Sequence, residues 1–189
     1  KVSYRESPMR KYEFNYKHKK QTGGSGQYGH IVGYFEPLPE DSTEEFVYEW
    51  KVTGGRIPGE YESSIEKGFR ALLNKGPLAE FPIVGLRAVV LDGSYHDVDS
   101  SDRAFQITAQ DCLRTHFIDT KPSLLEPIMK LEIECPEQFQ GPITGDLISR
   151  RGVVTGSEVN AGVSVLQADV PLANLFGYAT QIRSLSQGQ

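Results

Sequence analysis

The sequence predicts an α+β protein built from two domains. Stretches in which apolar and polar residues alternate, as in half-buried strands, lie between stretches with apolar residues three or four positions apart, as in amphipathic helices. The helical spacing ends at Lys121-Pro122, and a new β-α-β-β-α order begins after it. The predicted domains therefore cover residues 1–121 and 122–189.

The first domain is predicted to open with a long hairpin. Alternation over residues 12–20 indicates a strand, the glycines after it suit a reversal, and extended character resumes at His30. The predicted elements are, in order, strands at 12–20, 30–35 and 46–52, a helix from 61 to Gly76-Pro77, a strand at 83–91, a turn-rich loop at 92–97, and a helix capped by Ser100 or Ser101.

The second domain is predicted to follow a split βαβ pattern. Its elements are a strand at 129–133, a helix from about 142, strands at 153–156 and 163–170, and a helix at 172–185. A split βαβ sandwich has one more strand after that helix, so we expect a domain that lacks its last strand.

Charge is distributed unevenly along the chain. The whole sequence has a net charge of −5, which gives no support for general binding to nucleic acid or to a membrane surface. Residues 1–20 nevertheless hold seven basic side chains against two acidic ones, whereas residues 36–49 hold six acids and no base. The basic segment is the predicted contact for a phosphate backbone.

The remaining composition indicates a cytoplasmic protein. No apolar run approaches the roughly 20 residues of a membrane-spanning helix, and the first residues do not form a secretory signal. Cys112 and Cys135 are the two cysteines, too few for a disulfide framework, and both are expected in the core.

Residues 24–29, GSGQYG, match the dinucleotide-binding pattern G-x-G-x-x-G. That site needs a helix directly after the glycines, because the helix N-terminus holds the pyrophosphate, whereas His30 begins a predicted strand. We therefore predict a glycine-rich hairpin tip. The nearby Lys17, Lys19 and Lys20 suit phosphate groups.

The other polar clusters admit two interpretations each. Residues 95–99, YHDVD, could form an acid/base or metal site, but capping of the next helix by Asp97 or Asp99 is favoured, with His96 exposed for stacking or donation. His18 and His30 are expected to face each other across the hairpin without a third metal ligand. Arg150 and Arg151 either complement a helix dipole or contact a polyanion.

Taken in order, several strings closely resemble the C-terminal half of bacterial translation elongation factor G. They are KQTGGSGQYGH at 20–30, GGRIP at 54–58, DGSYHDVDSS at 92–101, LEPIM at 125–129, GDL at 145–147, RRG at 150–152 and LFGYAT at 175–180. The resemblance implies that family's domains IV and V: a ribosomal-protein-like βαβ domain, then a ferredoxin-like split βαβ domain lacking its last strand.

The resemblance also implies a function. In that family domain IV is an arm whose tip loops enter the small-subunit decoding centre and contact the tRNA–mRNA complex during translocation, and domain V faces large-subunit rRNA. The GTPase motor, with GTP and Mg, lies in a domain that this chain lacks, so no catalytic residue, metal or cofactor is expected here. A cytoplasmic monomer is expected. The implied RNA- and ribosome-binding residues are Lys17, Lys19, Lys20, Gly23, Gly24, Ser25, Gly26, Gln27, Tyr28, Ser94, Tyr95, His96, Asp97, Arg150 and Arg151.

Three alternatives remain open. Many family members carry a basic residue at the position of Ser25, so a specialised paralogue for ribosome recycling is one alternative. A ribosomal-protection protein shares the architecture and ranks second, because its tip loops should diverge from the strings present here. A free-standing hydrolase that uses His96 and Asp97 ranks third.

Overall fold

The computed structural model describes residues 2–21 and 24–189. Two compact units divide it, one covering Tyr4–Leu125 and the other containing Glu126–Gln189.

In its described residues, the first unit consists of a four-stranded sheet, a two-stranded ribbon and two helices. In chain order its elements are β1 (Arg5–Ser7), β2 (Tyr12–Lys20), β3 (Gln27–Pro37), β4 (Phe46–Trp50), α1 (Glu62–Arg70), β5 (Leu86–Ser94), α2 (Asp102–His116) and β6 (Ser123–Leu125). The sheet order is β2-β3-β5-β4, with β4 parallel to β5 and the other pairs antiparallel.

The ribbon pairs the two ends of the first unit. β1 runs antiparallel to β6, with Arg5 opposite Leu125. This pairing holds β6 to the first unit, so the units divide after Leu125, whereas the helical pattern alone placed a boundary at Lys121-Pro122. Strands of three residues are too short for alternation to identify them.

One face of the large sheet carries the core of the first unit. Alternate strand residues such as Phe14, Ile31 and Ala88 are buried against Phe69 of α1 and Phe105 of α2. α2 begins where the sequence predicts, since the Ser101 hydroxyl accepts a hydrogen bond from the Ala104 N–H at 3.0 Å. Cys112 and Cys135 are free and buried.

Several predicted boundaries in the first unit are wrong, including the ends of α1 and β5. α1 ends at Arg70, and the apolar spacing beyond it belongs to turns rather than to a helix that reaches Gly76. β5 continues through Asp92, Gly93 and Ser94, which were expected in a loop, because these residues pair with Val32, Ile31 and His30 of β3.

The second unit has the predicted β-α-β-β-α order. Its elements are β7 (Ile128–Pro136), α3 (Gln140–Ser149), β8 (Val153–Asn160), β9 (Val163–Pro171) and α4 (Tyr178–Leu185). Within the described residues its sheet has the order β7-β9-β8, all antiparallel. Ile143 and Leu147 of α3 pack on Leu166 and Val170 of β9 in a separate core.

The helix predicted at 172–185 is shorter than expected. Leu172–Asn174 form a 3₁₀ turn, and α4 begins only after Gly177, whose φ of 75° lies in the left-handed region. The α+β class with two βαβ-type units is confirmed. No helix of the described part of the chain is long and apolar enough to span a bilayer.

Candidate functional site

Two loops meet at one end of the large sheet. We call residues 24–26 the glycine loop and residues 95–99 the histidine loop. The glycine loop leads into β3 and the histidine loop follows β5, and the pairing of His30 with Ser94 brings them together. The Tyr28 N–H donates to the Asp99 carbonyl at 2.9 Å, and the Ser100 hydroxyl donates to the Tyr28 carbonyl at 2.7 Å. Gly23 of the predicted tip lies outside the described residues.

The glycines of the G-x-G-x-x-G pattern meet local steric demands. Gly24 has a φ of 152°, which side chains rarely adopt. A Cβ on Gly26 would lie 2.8 Å from the Asp99 Cγ, and one on Gly29 would lie 2.2 Å from the Thr108 Oγ1. The residues that follow form β3, so the motif closes a hairpin against the histidine loop and α2 instead of opening a helix for a pyrophosphate.

His96 is held by the backbone of its own loop. Its Nδ1 lies 3.4 Å from the Val98 N and 3.3 Å from the Asp99 N, and both N–H groups donate to it. Because Nδ1 accepts both hydrogen bonds, the neutral ring carries its proton on Nε2; this tautomer is assigned from the hydrogen bonds. The side chain is 54% exposed. The loop therefore offers an accessible ring face and one N–H donor to a partner.

Lysines line the stem below the two loops. Lys17, Lys19 and Lys20 are all exposed on β2, where Lys19 pairs with Tyr28 and Lys20 with Gln27. The Lys17 Nζ lies 5.9 Å from the centre of the Tyr28 ring. Strand alternation places Lys17 and Lys19 on the face opposite the core, so their charges are free to attract phosphate groups.

A hydrogen-bonded chain of side chains that the sequence analysis missed crosses the sheet behind the loops. The Ser94 Oγ lies 2.7 Å from both the Tyr28 hydroxyl and the His30 Nδ1, and the His30 Nε2 lies 2.7 Å from the Asn15 Oδ1. The prediction that His18 faces His30 is wrong: His18 pairs with Gly29, and His30 pairs with Lys17. The only available signal was alternation, which places Tyr28 and His30 on one face of β3.

Charge and burial around His30 predict how this end of the sheet responds to pH. Burial lowers the pKa of His30 most, and the cations Lys17 and Arg56 lower it further, against an opposing effect of Asp92. In the unfolded chain the ring becomes protonated near pH 6.5, whereas in the folded chain it stays neutral to a lower pH because its pKa is lowered. The stability that neutral His30 contributes is therefore present above about pH 6.5 and falls as the pH is lowered.

We expect unfolding of the first unit between pH 7.5 and 5 to depend less on pH in His30→Gln than in the wild type. Chemical denaturation at each pH measures the difference, and the carboxylates other than Asp92 contribute equally to both proteins. An NMR titration of the wild type checks the cause: an inflection for His30 at or above pH 6.5 would contradict it.

The two predicted arginines of the second unit have different surroundings. Arg150 is largely covered: its Nε donates to Asp146 at 3.0 Å, its Nη1 donates to the Asn174 carbonyl at 2.7 Å, and its guanidinium lies over the Tyr178 ring. These contacts join α3 to the turn before α4. Arg151 is 63% exposed and contacts both carboxylate oxygens of Glu126, at 2.8 and 2.9 Å.

Within residues 2–21 and 24–189, no group of three or more His, Cys, Asp or Glu side chains is arranged to hold a metal ion. In the histidine loop, Asp99 lies 3.7 Å from the His96 Nδ1 and against Gly26. Ser101, rather than Asp97 or Asp99, caps α2.

Comparisons with known proteins agree along the whole chain. The family described as "Elongation factor G, domain IV" matches residues 1–121, and "Elongation factor G C-terminus" matches residues 123–189. Elongation factor G of Rhodopirellula baltica is 60% identical over 189 residues, and Elongation factor G 1 of Syntrophus aciditrophicus is 49% identical over 189 residues; each match covers 100% of this chain and 27% of the relative. A crystal structure from Thermus thermophilus has a TM-score of 0.83 at 42% identity, and covers 100% of this chain and 28% of that one.

Proposed function

The chain belongs to the elongation factor G family. From that premise we propose that it is the ribosome-contacting part of a translocase that moves tRNA and mRNA. It spans 27% of the length of the curated relatives it matches. In the proposal, residues 1–121 act as the domain IV arm and residues 122–189 as domain V. The intact factor works as a monomer in the cytoplasm.

One observation carries this proposal: the glycine loop and the histidine loop form one tip, with exposed His96 beside a stem of lysines. Narrow loops of glycine and short polar residues can enter a crowded RNA site. The ring of His96 can stack on a base or donate from Nε2, and single-stranded or distorted RNA is recognised by such contacts. The lysines supply attraction that does not depend on sequence.

In the proposal, the nucleotide chemistry of the intact factor lies in a region outside this chain. The glycine motif leads into β3 rather than into a helix N-terminus that could hold a pyrophosphate. We propose that GTP and Mg²⁺ bind a separate motor domain. The energy of hydrolysis would then reach the tip through movement of the whole arm.

Two of the alternatives keep the ribosome as partner. Ser25, exposed in the middle of the glycine loop, favours a recycling paralogue as the alternative role within the family, because the family often has a cation there. A protection protein is disfavoured by the retained GSGQYG and SYHD strings. A translocation assay with the full-length factor separates the translocase from both alternatives, because only the translocase is expected to move tRNA and mRNA.

The lysine stem gives a direct test of ribosome binding. We expect Lys17→Ala, Lys19→Ala and Lys20→Ala together to weaken binding of the full-length factor and to flatten its dependence on salt. Each lost phosphate contact should reduce the slope of log K against log salt by about one or less. Lys75→Ala, which removes a lysine paired with Glu80 at 3.4 Å, is the matched control. An unchanged slope in the triple variant would show that the stem does not face RNA.

A further inference from the structure

Tyr28 connects the two loops of the tip through both its backbone and its side chain. Its N–H and carbonyl are bonded to Asp99 and Ser100, on the far side of the histidine loop. Its hydroxyl reaches Ser94, on the near side, at 2.7 Å. Its ring lies 6.1 Å from that of His96, centre to centre. The position of the glycine loop relative to His96 is therefore set through this tyrosine.

The hydrogen bonds around Ser94 have one consistent direction. Asn15 offers Oδ1 to the His30 Nε2, so Nε2 carries the proton of the neutral ring and Nδ1 accepts. Ser94 then donates its single hydroxyl proton to the His30 Nδ1 at 2.7 Å and accepts from the Tyr28 hydroxyl. The serine hydroxyl is thus bonded to both Tyr28 and His30, and its removal breaks both hydrogen bonds.

We propose that Ser94 is a positioning residue of the tip: its hydroxyl, shared between Tyr28 and His30, keeps the glycine loop and the histidine loop in a single arrangement. The inference rests on the translocase function proposed above. Ser94 acts through Tyr28 and His96 rather than by contact with RNA. Its hydroxyl orders the loops before the tip binds its target, so that no conformational entropy of the loops is lost during the reaction.

The hydrogen-bond direction can be tested on the chain itself. Nitrogen-15 NMR distinguishes the two neutral tautomers of a histidine, and we expect His30 to carry its proton on Nε2. In Ser94→Ala the Nδ1 loses its donor, so the Nδ1 shift of His30 should move while that of His116, in the same unit, stays. A proton on Nδ1 of neutral His30 in the wild type would overturn the inference.

The effect on function is measured in the full-length factor. Ser94→Ala and Tyr28→Phe should each slow single-round translocation about five-fold, the rate equivalent of one hydrogen bond. The double variant should be no slower than either single one, because both changes break the same bond. Ser94→Thr keeps the hydroxyl on a strand that accepts β-branched residues, so it should restore the rate.

Controls separate positioning from folding. The backbone bonds of Tyr28 remain in Ser94→Ala, so its melting temperature and ribosome affinity should match the wild type. Tyr34→Phe, which removes a hydroxyl on the same face of β3 under Lys11, should leave the rate unchanged. An unchanged rate in Ser94→Ala, or a rate loss matched by a loss of melting temperature, would overturn the inference. A wild-type factor that does not translocate would instead contradict the proposed function.

Discussion

Replacement of Glu6 by alanine is expected to destabilise the first unit by about 4 kcal/mol. Glu6 is fully buried in β1. Its carboxylate accepts three backbone hydrogen bonds, from the N–H groups of Leu78, Ala79 and Phe81, each at 2.8 Å. Alanine would leave three part-buried N–H donors without their common acceptor, at roughly 1–3 kcal/mol each at most and less than additively.

The surrounding loop is shaped around this carboxylate. The Gly76 N–H donates to the Phe81 carbonyl at 2.7 Å and closes a tight turn. A Cβ on Gly76 would lie 2.2 Å from the Glu6 Oε1, so glycine is needed there. The backbone of Glu6 is bonded to Pro82 and Val84 as well. Loss of the carboxylate therefore removes the acceptor on which the whole turn is organised.

Denaturant unfolding of the chain measures the effect. Glu6→Gln has nearly the same shape but turns one acceptor oxygen into an NH₂ group that faces other donors, so we expect it to be almost as destabilising as alanine. Glu13→Gln, an exposed change on β2, should stay within about 0.5 kcal/mol. Equal unfolding free energies for Glu6→Gln and Glu13→Gln would show that the buried acceptor contributes little.

Glu6 illustrates what the sequence could not predict. In the sequence it is one of two acids in a basic segment, and it reads as a solvated charge. Its partners lie 72 to 75 residues away, in a loop without periodicity. Periodic patterns report which face of an element is buried, whereas the pairing of a buried carboxylate with distant backbone donors depends on the assembled fold.

The elements with strong local signals were predictable for the same reason. β2 has a clear two-residue period, and α2 has both a helical stripe and a serine cap. Errors arose where a local signal was ambiguous: the apolar spacing after Leu172 suits a helix, but the left-handed backbone of Gly177 delays α4 to Tyr178. The end of β5 was missed because the residues that suit a turn, Asp92 to Ser94, are paired with β3.

The candidate site was predictable in composition but not in its connections. Glycines and short polar residues at two strand ends indicated the tip, and the lysines indicated its charge. The bond from Tyr28 to Ser94 depends on the register of β3 against β5, which shifts between Val32 and Gly33. Pairing that slipped by one residue would move Tyr28 and His30 to the other face of the sheet. No pattern in the sequence predicts the irregularity observed between Val32 and Gly33.

His96→Ala is expected to slow single-round translocation by the full-length factor on the order of ten-fold or more, with a smaller effect on ribosome affinity. In the proposed function the lysines supply most of the binding free energy, while the ring acts at the tip, where RNA must be displaced or held. Loss of a contact made chiefly in the transition state lowers the rate more than it lowers the affinity.

Loss of the ring must be separated from loss of the loop shape. The His96 Nδ1 also accepts from the Val98 and Asp99 N–H groups, so alanine removes an internal contact. Asparagine can supply an equivalent acceptor two residues before its donor, which restores the turn without the ring. We therefore expect His96→Asn to be nearly as slow as His96→Ala.

Val98→Ala provides the matched control, because Val98 is 82% exposed in the same loop and its truncation removes surface but no hydrogen bond of the side chain. Its translocation rate should equal that of the wild type. Rates are measured by rapid mixing with pre-translocation ribosomes at saturating factor, so that affinity does not contribute. An unchanged rate in His96→Ala would refute the role of the ring, and recovery in His96→Asn would assign His96 to loop shape alone.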